Sequence, residues 1–309
     1  MEKCMAMRSR VLVFVALVVI LEMAALVWSI PPSGALASRS DKVAELGALP
    51  SGGDAEFFGS MAGRPLNAPI VGMASTIDGG GYWLAAADGG VFTFGDAAFY
   101  GSLAGAASGS PIVGIAADPV VSGYWLVSAD GAVHPFGGAV WYHGTEGRPL
   151  NAPIVGMAST IDGGGYWLAA ADGGVFAFGD AAFSGSFVGG LTPGLGPVFG
   201  IAAFPDNSHY LLATSLGGVS VFGFSGGSWP GGWSQPANGL MVAAANWGTG
   251  DSPGWWTAGT DGGVFALGNA PFYGSMGATA LNAPIVGMSA TPTHHGYWIV
   301  ASDGGVFAF

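Results

Sequence analysis

The chain has one cysteine and few charged residues. Cys4 lies close to the N-terminus, so no disulfide can form within the rest of the chain. Lys and Arg together number seven, and only Arg64 and Arg148 come after residue 42. Nucleic acids and anionic membrane surfaces bind clustered basic residues, so the net charge of −12 argues against both as partners.

The chain also lacks segments with the apolar 3.6-residue period of a helix beyond its N-terminal region. Half of the residues are hydrophobic, among them 11 tryptophans, and the chain also has 57 glycines. A chain of this composition must bury small and very large side chains together. We therefore expect an all-β protein with an extensive apolar interior.

The N-terminal region has the three parts of a secretory signal peptide. They are the basic residues Lys3, Arg8 and Arg10, an apolar run over 11–20, and the small-x-small site Ala35-Leu36-Ala37. An uncleaved anchor is the alternative, since residues 11–30 could span a bilayer, but Glu22 and the small-x-small site favour cleavage. We predict a signal peptide over 1–37, a linker over 38–53, no further membrane contact, and a secreted or cell-surface location.

An aromatic pair recurs along the remainder of the chain. It begins as Tyr82-Trp83 and returns as Tyr124-Trp125, Tyr166-Trp167, Tyr210-Leu211, Trp255-Trp256 and Tyr297-Trp298. The steps between first members are 42, 42, 44, 45 and 42 residues. A fixed period of roughly 40–50 residues predicts a propeller, a solenoid or another repeat array.

One repeat predicts four short strands joined by tight turns. In residues 69–102 the predicted strands are 70–76, 82–87, 91–94 and 98–100. Asp88-Gly89 predicts a type I′ hairpin turn, in which both residues have positive φ. Alternation within 82–87 gives two apolar faces, so both faces of the sheet must be covered. This favours propeller blades over a sandwich.

The two ends of the repeat region complement each other. Residues 53–60, Gly-Asp-Ala-Glu-Phe-Phe-Gly-Ser, match residues 95–102, and the chain ends at a third strand over 306–309. We therefore predict that an N-terminal strand completes the last blade and closes a ring. The predicted fold is an all-β, six-bladed β-propeller of four-stranded blades over residues 54–309.

The repeat resembles that of a known family. Residues 81–97 follow the pattern Gly-Tyr-Trp-Leu-(x)3-Asp-Gly-Gly-Val-Phe-(x)-Phe-Gly-Asp-Ala, which is similar to tandem repeats of many secreted actinobacterial proteins. These repeats are treated as propeller-like and often accompany cell-wall hydrolase modules. WD40 repeats have a similar length, but their Gly-His and Trp-Asp signatures are missing here. The resemblance implies a cell-surface repeat protein without specifying a biochemical role.

One acidic residue recurs at the predicted hairpins. The set is Asp88, Asp130, Asp172, Asp261 and Asp303. Five carboxylates on one face could bind Ca²⁺ or a cationic ligand. The alternative is that Asp-Gly simply forms the turn, and it is favoured because neighbouring blades are too far apart to share an ion. We expect no other cofactor.

The fourth and fifth repeats depart most from the pattern and are rich in tryptophan. Trp255-Trp256 occupies the predicted core position, whereas Trp229, Trp233 and Trp247 fall in predicted loops rich in Gly, Pro and Ser. Exposed indoles can stack on sugars or prolines and anchor interfaces. We predict that these three bind a ligand, with filling of a drifted core as the alternative.

No catalytic constellation is evident. The predicted first strands contain no Asp, Glu or His, so the axis of a propeller would offer no general base. We therefore expect a monomeric, non-catalytic extracellular binding or scaffold module for a cell-wall glycan or a protein. The alternative is a propeller-type hydrolase or lyase with a turn-acid or Ca²⁺-dependent site.

Overall fold

The computed structural model describes residues 52–106, 109–187, 196–223, 240–247 and 254–309. These ranges contain only strands, turns and irregular segments, which confirms the predicted all-β class. No helix in them is long and apolar enough to cross a membrane. The predicted signal peptide, and the predicted linker up to residue 51, lie outside the described residues.

In these described ranges, eighteen strands form six antiparallel sheets, each built from three strands that are consecutive in the chain. Sheets 1 to 3 are β1 (Ile70–Ser75), β2 (Gly81–Ala86), β3 (Val91–Gly95); β4 (Ile112–Ala117), β5 (Gly123–Ser128), β6 (Val133–Gly137); and β7 (Ile154–Ser159), β8 (Gly165–Ala170), β9 (Val175–Gly179). Sheets 4 to 6 are β10 (Val198–Ala203), β11 (Tyr210–Thr214), β12 (Val219–Phe222); β13 (Met241–Trp247), β14 (Gly254–Gly259), β15 (Val264–Gly268); and β16 (Ile285–Ala290), β17 (Tyr297–Ala301), β18 (Val306–Ala308). The six predicted repeats are thus six separate sheets.

The middle strands are buried on both faces, as the sequence predicts. Every residue of β2 is buried. Tyr82 and Leu84 pack against sheet 6, whereas Trp83 and Ala85 pack against sheet 2. The Trp83 and Tyr124 rings lie 5.5 Å apart, and Trp298 and Tyr82 lie 5.8 Å apart. The Tyr82-Trp83 pair therefore places one ring against each of the two neighbouring sheets.

The first strands of the sheets contact one another. The contacting pairs are β1–β4, β4–β7, β7–β10, β10–β13, β13–β16 and β16–β1. Between β1 and β16, the Ser75 backbone N–H donates to Ser289 Oγ at 3.2 Å. Every first strand also has a bulge at its second residue, where the register with the middle strand shifts. This repeated arrangement is consistent with a propeller-like fold.

Within the described residues, the fourth strand predicted for each blade is not formed. We call the residues that follow the third strand the flanking segment, which is 96–102 in sheet 1, 138–144 in sheet 2, 180–186 in sheet 3 and 269–275 in sheet 5. In sheet 1 the Trp83 indole N–H donates to the Ala98 carbonyl at 2.8 Å, and the Tyr124 hydroxyl donates to the Gly101 carbonyl at 2.5 Å. Side chains, rather than a strand ladder, thus hold this backbone.

The predicted closure of a ring by an N-terminal strand is also wrong, since residues 54–60 form no strand. They nevertheless contact sheet 6. The Asp54 N–H donates to the His295 carbonyl at 3.0 Å, and the Trp298 indole N–H donates to the Glu56 carbonyl at 2.7 Å. The backbone of this segment is held by an indole and a loop carbonyl in place of strand pairing.

Candidate functional site

The five predicted hairpin carboxylates each bond to their own turn. Each Oδ1 accepts from the backbone N–H two residues on, in the pairs Asp88–Gly90 (2.9 Å), Asp130–Ala132 (3.3 Å), Asp172–Gly174 (3.0 Å), Asp261–Gly263 (2.9 Å) and Asp303–Gly305 (3.0 Å). The five belong to five different sheets. Within the described ranges, no three His, Cys, Asp or Glu side chains are grouped closely enough to hold a metal ion. Binding of Ca²⁺ here stays a prediction.

The geometry of these hairpins differs from the predicted type I′ turn. Gly89 has a φ of 80°, but Asp88 does not have positive φ. The Gly89 N–H donates to the Ala86 carbonyl at 2.9 Å, and the Ala86 N–H donates to the Gly90 carbonyl at 2.8 Å. This is a three-residue loop that ends in a glycine bulge, and a single left-handed residue is enough to form it. Asp88 therefore stabilises the turn by accepting the Gly90 N–H, without itself having positive φ.

Replacement of Ser128 by Ala is expected to raise the pKa of Asp130 and to weaken the fold only above acidic pH. The Ser128 hydroxyl donates to Asp130 Oδ1 and holds the pKa of this carboxyl below its ordinary value. Such a carboxyl stabilises the fold above about pH 3.9, and the stabilisation is lost as the pH falls through the folded pKa. Because Asp130 is largely solvated, we expect a loss of less than about 1 kcal/mol near neutral pH.

Chemical denaturation at about pH 6 and about pH 2 measures this difference, and NMR titration measures the pKa directly. The variant carries the residue that sheets 1 and 3 already have, Ala86 and Ala170, so it is compatible with the hairpin. An equal loss of stability at both pH values would contradict the electrostatic role. The lost stability would then come from the second hydrogen bond of Ser128, in which its hydroxyl donates to the Ala132 carbonyl at 3.2 Å.

The described residues include only one of the three tryptophans of the predicted ligand site. Trp229 and Trp233 lie outside the described residues. Trp247 is the last residue of β13 and pairs with Gly254, so its predicted position in a loop is wrong. Trp255 and Trp256 are buried, which confirms their predicted core position. Ligand binding by Trp229, Trp233 and Trp247 stays a prediction.

Sequence reasoning missed a second set of aromatic residues. One large ring is exposed at the same position of each described flanking segment: Phe99 (59%), Trp141 (47%), Phe183 (59%) and Phe272 (59%). The signal for this set is the aromatic residue that recurs 16 positions after Trp83, Trp125, Trp167 and Trp256. In the N-terminal segment the equivalent residue is Phe57, which is partly buried.

Hydrogen bonds fix the backbone on both sides of each exposed ring. The residue before the ring accepts from a core indole, in the pairs Trp83–Ala98 (2.8 Å), Trp125–Val140 (2.7 Å), Trp167–Ala182 (2.8 Å) and Trp256–Pro271 (2.7 Å). The residue two after the ring accepts from a core tyrosine of the next sheet, in the pairs Tyr124–Gly101, Tyr166–His143, Tyr210–Gly185 and Tyr297–Gly274. Burial raises the pKa of Tyr297 to about 12, so this hydroxyl remains a donor at physiological pH. The rings are thus presented on a rigid backbone.

The comparison with known proteins adds no identity. No protein-family model matches this chain, and no curated protein matches it. The resemblance to the secreted repeat family therefore stays an expectation from the sequence. Chemically, the exposed rings can stack or pack against a ligand, and the hairpin carboxylates stabilise turns.

Proposed function

We propose that this chain is an extracellular, non-catalytic binding or scaffold module whose ligand is a cell-wall glycan or a protein. The observation that carries the proposal is the exposed aromatic ring that recurs at one position of four flanking segments. Repeated rings on a rigid framework suit a ligand that is itself repetitive or extended. Export through the N-terminal 37 residues is part of the same proposal.

We also propose that the N-terminal segment completes sheet 6 as the flanking segments complete the other sheets. Three contacts support this. Asp54 Oδ1 accepts from the Thr291 hydroxyl at 2.9 Å, as Asp96 Oδ1 accepts from Thr76 at 3.4 Å. Glu56 accepts from Trp298, as Ala98 accepts from Trp83. The Tyr82 hydroxyl donates to Gly59 at 2.6 Å, in the manner of Tyr124 and Gly101.

Removal of three exposed rings is expected to weaken retention on glycan without loss of stability. The variant Phe99→Ala, Phe183→Ala, Phe272→Ala changes exposed side chains only, and each truncation should weaken binding by about 1–3 kcal/mol if the ring contacts ligand. Co-sedimentation with purified peptidoglycan, chitin and cellulose measures retention. We expect the unmodified chain to bind at least one of them and the triple variant to bind at least about tenfold more weakly.

The matched control is the double variant Ile77→Ala, Ile161→Ala. These isoleucines are 67% and 51% exposed in other turns, so the control removes exposed apolar surface without changing the recurring rings. Equal retention of both variants would show that the recurring rings do not bind glycan. Absence of retention for the unmodified chain on all three polymers would leave a protein ligand as the surviving form of the proposal.

A further inference from the structure

A small cavity lies at the end of sheet 6 where the second and third strands are joined, which we call the hairpin end. Its volume is about 20 Å³, enough for one water-sized group. Three polar residues line it, Ser60, Asn282 and Asp303, and we call them the polar trio. They come from the N-terminal segment, the connection before β16 and the β17–β18 hairpin. Asn282 is exposed, so the cavity opens to solvent at its rim.

Backbone hydrogen bonds hold these three parts of the chain together. The Met61 N–H donates to the Gly304 carbonyl at 2.9 Å, which joins the N-terminal segment to the hairpin. The Ser302 N–H donates to the Pro284 carbonyl at 2.9 Å, which joins the connection before β16 to the same hairpin. The polar trio is therefore preorganised, and a ligand that binds it does not have to order these backbones.

The polar trio has unused hydrogen-bonding capacity. Asp303 Oδ1 accepts from the Gly305 N–H at 3.0 Å, whereas its Oδ2 accepts from no other described residue. The Asn282 amide forms no hydrogen bond within the described ranges. Ser60 Oγ accepts from the Ala62 N–H at 3.3 Å, and its own O–H has no acceptor in the same part of the chain. The cavity thus offers a carboxylate acceptor, an amide and a hydroxyl donor.

These groups together fit a hydroxyl group of a ligand. A hydroxyl donates one hydrogen bond and accepts others, so it can satisfy the carboxylate and the amide at once. A cationic amine would use the acceptors and leave the Ser60 and Asn282 donors without a partner. A Ca²⁺ ion takes about 6–8 oxygen ligands and would find a single carboxylate here. The Asp303 charge repels anions, which leaves a neutral ligand rich in hydroxyl groups, a carbohydrate.

A glycine lies where the cavity meets the backbone. Gly305 does not have positive φ, so its backbone conformation does not require glycine. A Cβ built on it would lie 3.2 Å from Asp303 Oδ1 and 3.9 Å from the Cβ atoms of Ala62 and Ala301. Sheet 2 has Ala132 at the equivalent position. The fold therefore accommodates a side chain here, and its absence lets a ligand approach the backbone closely.

The same set of residues recurs in two other sheets. The equivalents of the polar trio and its glycine are Ser102, Asn67, Asp88 and Gly90 in sheet 1, and Ser186, Asn151, Asp172 and Gly174 in sheet 3. Sheet 2 keeps Asp130 but has Gly144, Gly109 and Ala132 in place of the serine, the asparagine and the glycine. Asp130 still accepts from its own turn at 3.3 Å, so the turn does not need the other three. In these four sheets they are either all present or all replaced.

We propose that this cavity and its equivalents in sheets 1 and 3 bind hydroxyl groups of a neutral glycan. Asp303 Oδ2 accepts from a sugar hydroxyl, and Asn282 and Ser60 donate to the same or a neighbouring one. The proposal rests on the glycan form of the proposed function, but it uses the hairpin ends and not the exposed rings. Each small cavity binds one edge of a sugar weakly, and three of them on one chain retain a polymer by avidity.

NMR titration of the ¹⁵N-labelled protein, produced from the full chain, tests the site directly. The probes are chitotetraose and cellotetraose, and the signals followed are those of the side-chain amides. We expect the amides of Asn67, Asn151 and Asn282 to shift with at least one of the two saccharides. The Asn269 amide, which is exposed at the opposite end of sheet 5, is the internal control and should not shift.

Two triple variants test the site by substitution. The first fills the three cavities with the residue that sheet 2 already has: Gly90→Ala, Gly174→Ala, Gly305→Ala. The second removes the three exposed amides: Asn67→Ala, Asn151→Ala, Asn282→Ala. Each should weaken saccharide binding about fivefold or more, whereas the control Asn269→Ala should not change it. Circular dichroism verifies folding, and the asparagine variant still decides the outcome if the glycine variant misfolds.

Two results would overturn the proposal. The first is an absence of amide shifts with both saccharides, or shifts with calcium chloride or spermine alone, which would make the cavity a cation site. The second is saccharide binding that neither triple variant weakens. Polymer retention that depends on the exposed rings, without amide shifts, would contradict the cavity alone. Amide shifts without retention on any polymer would contradict the proposed role of the rings alone.

Discussion

Deletion of residues 54–60 is expected to lower the melting temperature by about 10 °C or more. The deletion removes the Glu56 carbonyl from the buried Trp298 indole and the Gly59 carbonyl from the Tyr82 hydroxyl. A buried polar group left without its partner costs about 1–3 kcal/mol. The Phe58 ring is lost as well, from its place 5.8 Å from the Tyr82 ring and 6.5 Å from the Trp298 ring. Thermal unfolding followed by circular dichroism measures the change.

A peptide added in trans provides a sharper form of this experiment. A synthetic peptide of residues 52–62 should raise the melting temperature of the truncated protein in a concentration-dependent manner, since a ligand that binds only the folded state stabilises it. The same peptide with Phe58→Ala is the matched control and should be weaker. Identical melting of the truncated and full chains would mean that the N-terminal segment does not complete sheet 6.

The sheets themselves could be predicted from the sequence because their signals are repeated and local. The period of 42 to 45 residues places six units, and the recurring pair that begins as Tyr82-Trp83 marks each middle strand. Alternation within that strand correctly assigns Tyr82 to one neighbour and Trp83 to the other. The physical basis is simple: adjacent residues of a strand point to opposite faces, and both faces are apolar here.

The absence of the fourth strand could not be predicted, because the segment has the length and composition of a strand. Residues 98–100 are apolar and follow a tight turn, so they satisfy a strand pattern. The backbone of this segment instead hydrogen-bonds to side chains that are distant in the sequence. The Trp83 indole, 15 residues earlier, binds the Ala98 carbonyl, and the Tyr124 hydroxyl, 23 residues later than Gly101, binds the Gly101 carbonyl. Propensity carries no information about such bonds.

The candidate site was the least predictable part. The predicted site residues Trp229, Trp233 and Trp247 lie where the sequence departs from the repeat. The described exposed rings belong to the repeat itself. From the sequence alone, the adjacent aromatic residues Phe99 and Tyr100 are equally good candidates for an exposed ring. The structure separates them, because the Tyr100 ring packs 5.8 Å from that of Tyr124 while Phe99 is exposed. Only the position of the next sheet distinguishes the two.

Replacement of Trp167 by Ala is expected to have the largest effect of any single substitution considered. Trp167 is fully buried, and its ring lies 5.5 Å from that of Tyr210 in the adjoining sheet. Truncation of a buried tryptophan costs about 3–5 kcal/mol, through lost apolar contact and the cavity that remains. The Ala182 carbonyl also loses the indole N–H that donates to it at 2.8 Å. Urea denaturation at constant pH measures the free energy of unfolding.

Two further variants separate packing from hydrogen bonding at this position. Phe183→Ala removes an exposed ring one residue after Ala182 and should change the stability by less than about 0.5 kcal/mol. Trp167→Phe keeps an aromatic ring in the core but cannot donate to Ala182, so it should fall between the other two. If Trp167→Phe were as stable as the unmodified chain, the indole bond would not hold the flanking segment. The exposed ring of Phe183 would then owe its position to packing alone, and the same conclusion would extend to Phe99, Trp141 and Phe272, whose backbones are bonded in the same way.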